Sequence, residues 1–365
     1  MQVDGQVTDK LFNFFKESFP KAVIDESGII KSYTSVKDEY DSLIHGVAVR
    51  NISNYGMLKF SGKDSLDFLH RVTTNSVKNL ESFQKVGTLF INEKGRFIDR
   101  TILARFDDDL LMISESNNVN KLKMWIKRYI VSEDITIDVV NDRWVLFEVI
   151  GPQSDSYMTL VCGDQLATLN DENIITVDVE SIKFYLFKKK EPNGIEKYWI
   201  LSYSVIADKL IEFLLDQKSV FDFNLIGENA YDIFRIENGI PSSPNEINDL
   251  YNPHESNLLS EICFSKGCYI GQEVIARLDT YDKVQRILTG IIFDAKINPS
   301  EPLMVLDNDK NEIGTITSIA KYDFLDKMIG LGYIRKSYIG NGTEYLATDQ
   351  KNDFKISLTS LPFSK

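Results

Sequence analysis

The residues best suited to chemistry lie in one short stretch, KGCYIGQE, which runs from Lys266 to Glu273. It combines a cation, a thiol (Cys268), an amide and a carboxylate with two glycines, which allow the backbone to approach a ligand closely. A lysine near a cysteine can lower the pKa of the thiol and so make the thiolate more available. The alternative is a turn that leads into a barrel strand and carries a buried, inert Cys268.

A second segment, RIENGIPSSPNEIND from Arg235 to Asp249, supplies acids upstream of that stretch. Its carboxylates belong to Glu237, Glu246 and Asp249. A carboxylate can accept two parallel N–H bonds from the edge of an amino-pyrimidine ring, and such bidentate pairs are strong and directional. The segment therefore indicates either a second wall of a heterocycle site or an acidic surface loop.

Composition limits the class of protein. The 365 residues are 43% hydrophobic and 26% charged, which is enough for two or three domains. A formal net charge of -13 opposes general binding to a phosphate backbone, so we expect no direct nucleic-acid partner. No apolar run reaches the length of a membrane helix, and the first residues resemble neither a signal nor a transit peptide, so we expect a cytoplasmic protein without membrane contact. Three cysteines and three scattered histidines predict reduced thiols and no metal site.

Periodicity predicts strands that interleave with helices. Helical spacing occurs at 8–19, 63–71, 119–130 and 207–217, and strand-like alternation occupies 47–62 around a turn at 54–56. Turn residues at 92–95 and 192–194 predict hairpins. Because hairpins outnumber crossovers, the pattern favours an α+β fold, and the short strands that recur from Arg286 onward predict a small β-barrel or sandwich.

The stretch from Lys266 to Arg277, KGCYIGQEVIAR, closely resembles the signature of the YgfZ-type folate-binding proteins, which are relatives of the glycine-cleavage T-protein. Other segments resemble T-protein segments in the same order: FSGKDSLDFLHRVTTN, LFINEKGRFIDRTI, EVIGPQS and IGENAYDIFRIENGIP. The resemblance implies an α+β fold of three lobes with tetrahydrofolate in a central opening. These would be an N-terminal α+β folate-binding lobe (1–140), a ferredoxin-like lobe with the KGCYIGQE motif at its end (141–285) and a C-terminal β-barrel (286–365).

The resemblance also implies roles for individual residues. Lys266 and Cys268 would form the functional pair, and the pterin-binding acid of the T-proteins falls on Asp249. The folate-binding set implied in this way is Asp249, Asn245, Glu246, Arg235, Gly267, Gln272, Glu273, Arg277 and Arg286, the last two being available to the anionic tail of folate. Cys268 could ligate a transient cluster with ligands from a partner, form a covalent adduct or shape the loop.

Two segments depart from the T-protein pattern. T-proteins have two adjacent aspartates in the first lobe, the second acting near folate N5, and the matching residues here are Asp99 and Arg100. Because an arginine cannot accept a proton, the T-protein mechanism of aminomethyl transfer is placed in doubt, with Asp99 the remaining acid. The Asp-Val-Ser-His-Met loop has become Asn51 to Tyr55. Together with the KGCYIGQE motif, these changes point to the YgfZ-type branch.

Three functions are compatible with these residues. The first is a monomeric, tetrahydrofolate-binding accessory protein that supports assembly or repair of iron-sulphur enzymes, including tRNA-modifying ones, which would be its partners. The second is a folate-dependent aminomethyltransferase or other one-carbon transferase. The third is an interaction scaffold without folate, so whether the chain is an enzyme stays open at this point.

Overall fold

A computed structural model describes residues 6–107, 109–116, 118–281, 283–297, 303–320, 322, 324–340, 344–349 and 351–363. The chain divides into two compact units. The first contains the residues as far as Leu66, together with Asn79–Val86 and Ile102–Tyr231. The second contains Asp67–Lys78, Gly87–Thr101 and the chain from Asp232 onward.

The helices of the described residues are α1 (Gln6–Ser18), α2 (Val36–His45), α3 (Ser65–Val72), α4 (Val119–Lys127), α5 (Ser154–Cys162), α6 (Ala207–Asp216), α7 (Glu228–Glu237) and α8 (Gln272–Tyr281). The strands are β1 (Val23–Ile24), β2 (Ile30–Ser32), β3 (Val47–Asn51), β4 (Gly56–Ser61), β5 (Gln84–Ile91), β6 (Phe97–Arg105), β7 (Leu110–Ser114), β8 (Thr136–Val139), β9 (Trp144–Ile150), β10 (Ile175–Val179), β11 (Ile182–Lys190), β12 (Glu196–Tyr203), β13 (Phe223–Ile226), β14 (Arg286–Phe293), β15 (Leu303–Leu306), β16 (Glu312–Ala320), β17 (Ile329–Arg335), β18 (Tyr345–Thr348) and β19 (Asp353–Thr359). The helices and hairpins predicted from periodicity are all present.

A six-stranded sheet in the order β10-β11-β12-β9-β3-β13 is the centre of the first unit. Its strand pairs are antiparallel except for β13 and β3, which are parallel. One face of the sheet is covered by buried side chains of α1, α5 and α6, such as Phe15, Tyr157 and Leu210. Burial of these aliphatic and aromatic groups provides most of the favourable free energy of such a layer.

The strands predicted at 47–62 are present, but they do not pair with each other. β3 lies in the six-stranded sheet, whereas β4 lies in a five-stranded sheet of the order β5-β6-β7-β4-β8. The turn between them, Asn51 to Gly56, therefore connects two sheets instead of closing a hairpin. Local alternation predicted the strands, but strand partners depend on distant segments.

In the second unit, β14 to β19 form a closed antiparallel barrel in the order β14-β17-β16-β15-β18-β19. Its interior is filled by aliphatic and aromatic side chains, among them Ile291, Phe293, Ile316, Ile334 and Ile356. Closure leaves no unpaired edge in the barrel. The predicted fold class, α+β with a C-terminal β-barrel, is confirmed, while the three lobe boundaries stay a prediction.

The KGCYIGQE stretch leads into a helix and not into a barrel strand. Residues from Gln272 to Tyr281 form α8, which begins directly after Gly271 and has the acid Glu273 in its first turn, where it interacts favourably with the helix dipole. The thiol of Cys268 is exposed instead of buried. That alternative was therefore wrong in both its strand and its buried cysteine.

Candidate functional site

The loop before α8 holds the KGCYIGQE residues in a defined conformation. Gly271 has a φ of +78°, and a Cβ added there would lie 2.4 Å from the backbone oxygen of Asn92. Only glycine fits such a position without displacing the backbone. Gly267 differs, because a Cβ at that position would meet nothing within 4 Å. Of the two glycines, Gly271 is thus the one that the local geometry requires.

Lys266 is a positioning residue in this loop. Its ammonium donates to three backbone oxygens, those of His70 at 2.6 Å, Thr73 at 2.7 Å and Asn75 at 2.7 Å. An ammonium has three donors, so these bonds use its full capacity. Burial lowers the pKa of Lys266 to about 8. The ammonium is therefore directed to these carbonyls. The predicted functional pairing of Lys266 with Cys268 stays a prediction.

The charge of Lys266 acts on the thiol of Cys263. Cys263 is partly exposed, and its Sγ lies 3.5 Å from Oγ of Ser265. The pKa of Cys263 is lowered mainly by the hydroxyl of Ser265, and further by the backbone N–H groups of Ser265 and Lys266 and by the Lys266 charge. Cys268 remains exposed in the same loop. Sequence reasoning favoured Cys268 and missed Cys263, although Cys263 lies just three residues before the lysine.

Arg100, which replaces the expected aspartate, is held by a buried ion pair. Its side chain is 1% exposed, and its Nε and Nη2 donate to Oε1 of Glu261 at 2.7 and 2.5 Å. Asp99 is also buried and accepts the backbone N–H of Arg100 at 2.8 Å. Glu261 was not predicted, although an arginine within a buried strand requires an acid partner. Arg100 thus anchors the segment that directly precedes Cys263.

The Arg235–Asp249 segment divides into buried and exposed groups. Glu246 is fully buried and accepts hydrogen bonds from Arg235 (3.1 Å), the backbone N–H of Ser242 (3.1 Å) and the hydroxyls of Thr317 (2.5 Å) and Ser318 (2.7 Å). These donors saturate its oxygens, so Glu246 connects the segment to β16. The role of Glu246 in ligand binding stays a prediction.

The remaining predicted residues of this segment and of α8 lie nearer to the surface. Asn245 donates to Oγ of Ser318 at 3.0 Å, and Asp249 is exposed. On α8, Glu273 and Arg277 are exposed, while Gln272 is half-buried at its first residue. Their joint role in folate binding stays a prediction.

Arg286 lies at the start of β14 and shares Glu255 with Arg96, a contact that the sequence did not reveal. Its Nε donates to Glu255 Oε1 at 3.3 Å, and Arg96 Nη1 donates to Glu255 Oε2 at 2.9 Å. Both guanidinium groups also donate to the backbone oxygen of Leu250, at 3.2 and 2.9 Å. The Arg286 guanidinium lies 5.2 Å from the centre of the Tyr251 ring. Two arginines therefore share one buried carboxylate.

The first unit contains a buried charge cluster that sequence reasoning also missed. Lys197 is fully buried and donates to Glu191 and to the Tyr231 hydroxyl, both at 2.8 Å, with Glu148 3.3 Å away. Burial opposes its charge, but the neighbouring Glu148 and Glu191 raise the pKa of Lys197. Arg50 adds a bidentate pair with Glu228, in which Nε donates to Oε1 at 3.2 Å and Nη2 donates to Oε2 at 2.7 Å. The cluster joins β3, β9 and β12 and is satisfied internally.

A cavity of about 520 Å³ lies within the first unit. Apolar side chains of α1 and of the central sheet form one part of its wall, and polar residues of the Asn51–Tyr55 loop form another. The lining includes Phe15, Tyr33, Asn51, Ser53, Asn54 and Trp144. The loop that departs from the T-protein pattern therefore lines a space large enough for a small ligand.

In the part of the chain that the structure describes, no group of three or more His, Cys, Asp or Glu side chains is placed to hold a metal ion. None of the helices described is both long and apolar enough to cross a membrane.

Similarity to known proteins extends over almost the whole chain. Residues 15–266 match the GCVT N-terminal domain, and residues 286–365 match the glycine cleavage T-protein C-terminal barrel domain. A chloroplastic protein of Arabidopsis thaliana, whose name assigns it provisionally to the transferases, is 28% identical over 334 residues, which cover 87% of this chain and 72% of that protein. An aminomethyltransferase of Thermosipho melanesiensis is 26% identical, covering 91% of this chain and 89% of the relative, and one of Oceanobacillus iheyensis is 28% identical, covering 91% of each.

The crystal structure of the glycine cleavage system aminomethyltransferase T from Bartonella henselae superposes with a TM-score of 0.81. It covers 97% of both chains at 18% identity, so it is similar in fold. Since the N-terminal domain match alone spans more than half of the residues, the chain belongs to the glycine cleavage T-protein (GcvT) family.

Proposed function

We propose that this chain binds tetrahydrofolate and acts on, or senses, a one-carbon unit carried by it. The observation that carries the proposal is the match of both T-protein domains along the chain, combined with relatives named aminomethyltransferases. The cavity of the first unit, which has an apolar wall and a polar loop, has the volume and lining expected of a site for a heterocyclic ligand.

The first candidate activity is a folate-dependent one-carbon transferase. The names of the relatives support it. Arg100 argues against the T-protein chemistry at folate N5, because it stands where T-proteins have the second aspartate. Its guanidinium is paired with Glu261, so a proton acceptor would have to be supplied by Asp99 or by another group. The transferase would therefore act on a donor other than the aminomethyl carrier of the T-proteins, or move the proton by another path.

The second candidate is the YgfZ-type accessory factor for iron-sulphur enzymes, including those that modify tRNA. The observation that favours it is the exposed thiol of Cys268 in a loop that Lys266 fixes through three backbone oxygens. A thiol presented in this way can reach a group on a partner protein. In this proposal the chain is a cytoplasmic monomer that contacts its clients through the loop.

Calorimetric titration with tetrahydrofolate tests the part that both candidates share. We expect wild type and Cys268→Ser to bind, and Asp249→Ala to show whether the exposed acid contributes. No heat of binding in the wild type, confirmed by equilibrium dialysis, would refute folate binding and leave the interaction scaffold.

Turnover separates the two candidates. Purified protein is incubated with tetrahydrofolate and a panel of aminomethyl and N-methyl donors, and the folate products are analysed. In parallel, Cys268→Ser is tested for support of iron-sulphur enzyme activity in a deletion strain. Turnover supports the transferase, whereas loss of support in Cys268→Ser without turnover in wild type supports the accessory factor.

Arg100 can be tested without leaving a buried charge unpaired. The single change Arg100→Asp would place two acids together, whereas the exchange Arg100→Asp with Glu261→Arg retains an ion pair and restores a carboxylate at the T-protein position. If the chain is a lapsed or altered transferase, the exchanged variant should gain turnover while keeping its melting temperature. An accessory factor should gain nothing from the exchange.

A further inference from the structure

A cavity of about 540 Å³ lies at one end of the C-terminal barrel. It is formed by the start of β14, the start of β16 and the residues that follow β17. The charged side chains of its lining are Arg286, Arg335, Lys336 and a single acid, Glu312. Cations therefore outnumber acids around this space, in a chain whose formal net charge is -13.

Two of these cations are placed opposite each other. Arg286 and Arg335 are directly paired in the antiparallel register of β14 and β17. Directly opposed residues project to the same face with neighbouring Cβ atoms, and like charges in such a pair destabilise the sheet. A bound anion between the two guanidinium groups would relieve this repulsion.

Glu255, the acid that Arg286 contacts, lies outside this lining and does not neutralise the cluster. Glu255 is buried with 4% of its side chain exposed, and it is shared between Arg286 and Arg96, which keep 34% and 32% of their side chains exposed. One carboxylate thus balances two guanidinium groups, and a positive charge is left over. Lys336 is held beside this region because its backbone N–H donates to the backbone oxygen of Gln285 at 2.8 Å.

We infer that this barrel-end cavity is a binding site for a compact polyanion, a small molecule with two or more carboxylate or phosphate groups. Planar guanidinium groups bind such oxygens through paired, charge-assisted hydrogen bonds, and the lysine adds a point charge. Gln285, Thr315 and Ser337 line the same space and can donate further hydrogen bonds. A phosphate compound would meet this chemistry independently of the proposed function, whereas an oligo-glutamate chain would rest on it, because Arg286 is the residue that the resemblance makes available to the anionic tail of folate.

Isothermal titration of the full chain with inorganic tripolyphosphate and with tri-γ-glutamate at low ionic strength tests the site. We expect at least one probe to bind, with an affinity that falls as salt is raised from 50 to 300 mM, as for partly exposed charge pairs. Preference for tripolyphosphate would identify a phosphate ligand, and preference for tri-γ-glutamate a polycarboxylate such as an oligo-glutamate tail. Absence of binding by both probes would overturn the inference.

Matched substitutions locate the binding. Arg335→Gln should lower the affinity for the probe by about tenfold, which is the value of one charge-assisted contact. Arg335→Gln combined with Lys336→Gln should lower the affinity further. The control is Lys355→Gln, which removes an exposed cation from β19 of the same barrel, outside this cavity. Equal losses in Arg335→Gln and Lys355→Gln would overturn the site and indicate non-specific attraction, and folate binding measured in the same variants reports separately on the proposed function.

Discussion

Glu261→Gln should lower the free energy of unfolding by about 3 kcal/mol, because it removes the carboxylate charge that accepts two hydrogen bonds from the buried guanidinium of Arg100. The arginine side chain is 1% exposed and that of the glutamate 12% exposed. Two unit charges about 4 Å apart attract each other by about 4 kcal/mol at an effective dielectric constant of about 20. Removal of one partner of a buried pair typically costs about 3–5 kcal/mol, and glutamine keeps an oxygen acceptor, so we expect the lower end of that range.

Two probes of urea unfolding are needed to measure this loss. All three tryptophans lie in the first unit, at 125, 144 and 199, so tryptophan fluorescence reports on that unit. Hydrogen exchange of the peptide covering residues 259–271 reports on the second unit, where Glu261 lies. We expect this peptide to lose protection from hydrogen exchange. If the two units unfold separately, the urea midpoint of the fluorescence transition should change less or not at all.

Two variants control the interpretation. Glu273→Gln removes the same charge from an exposed position in the first turn of α8, where loss of its interaction with the helix dipole should change stability by less than about 1 kcal/mol. Arg100→Met with Glu261→Leu replaces the pair by apolar groups and should recover most of the loss. A Glu261→Gln protein as stable as wild type within about 0.5 kcal/mol would refute the reasoning that the pair anchors this segment.

Gly271→Ala should destabilise the second unit by about 1–3 kcal/mol, because its φ of +78° and the nearby backbone oxygen leave no room for a Cβ, whereas Gly267→Ala should change urea unfolding little. Burial lowers the pKa of His254, so the unfolded chain binds more protons just below the ordinary value of 6.5. The contribution of His254 to the free energy of unfolding should therefore be fully present above pH 6.5 and decline as pH falls toward the lowered pKa. In melting curves recorded across this range, His254→Phe should flatten the dependence of stability on pH. An unchanged slope in that variant would contradict the prediction. Alkylation of Cys263 should have its midpoint below pH 9, whereas Cys162, whose buried thiol has a pKa raised to about 12, should not react in the folded protein, as mass spectrometry of the modified peptides would reveal.

Short-range features of this protein could be predicted from its sequence. The hairpin turns at 92–95 and 192–194 and the recurrent strands after Arg286 depend on turn chemistry and on alternation within a few residues. The helix of the Gln272–Tyr281 segment escaped prediction because only Ile275 on it is buried, which leaves a weak apolar periodicity.

The sequence by itself determined the type of the elements with strong periodicity, the barrel at the C-terminus and the segment that carries the candidate chemistry. Only the tertiary structure decided which groups meet there. The carbonyl partners of Lys266 lie 196, 193 and 191 residues earlier in the chain, and Glu261 lies 161 residues after Arg100. Such contacts arise when distant strands and loops pack together, and no local pattern of residue types encodes them. For the same reason, the acid that Arg96 and Arg286 share became visible only once the chain was folded.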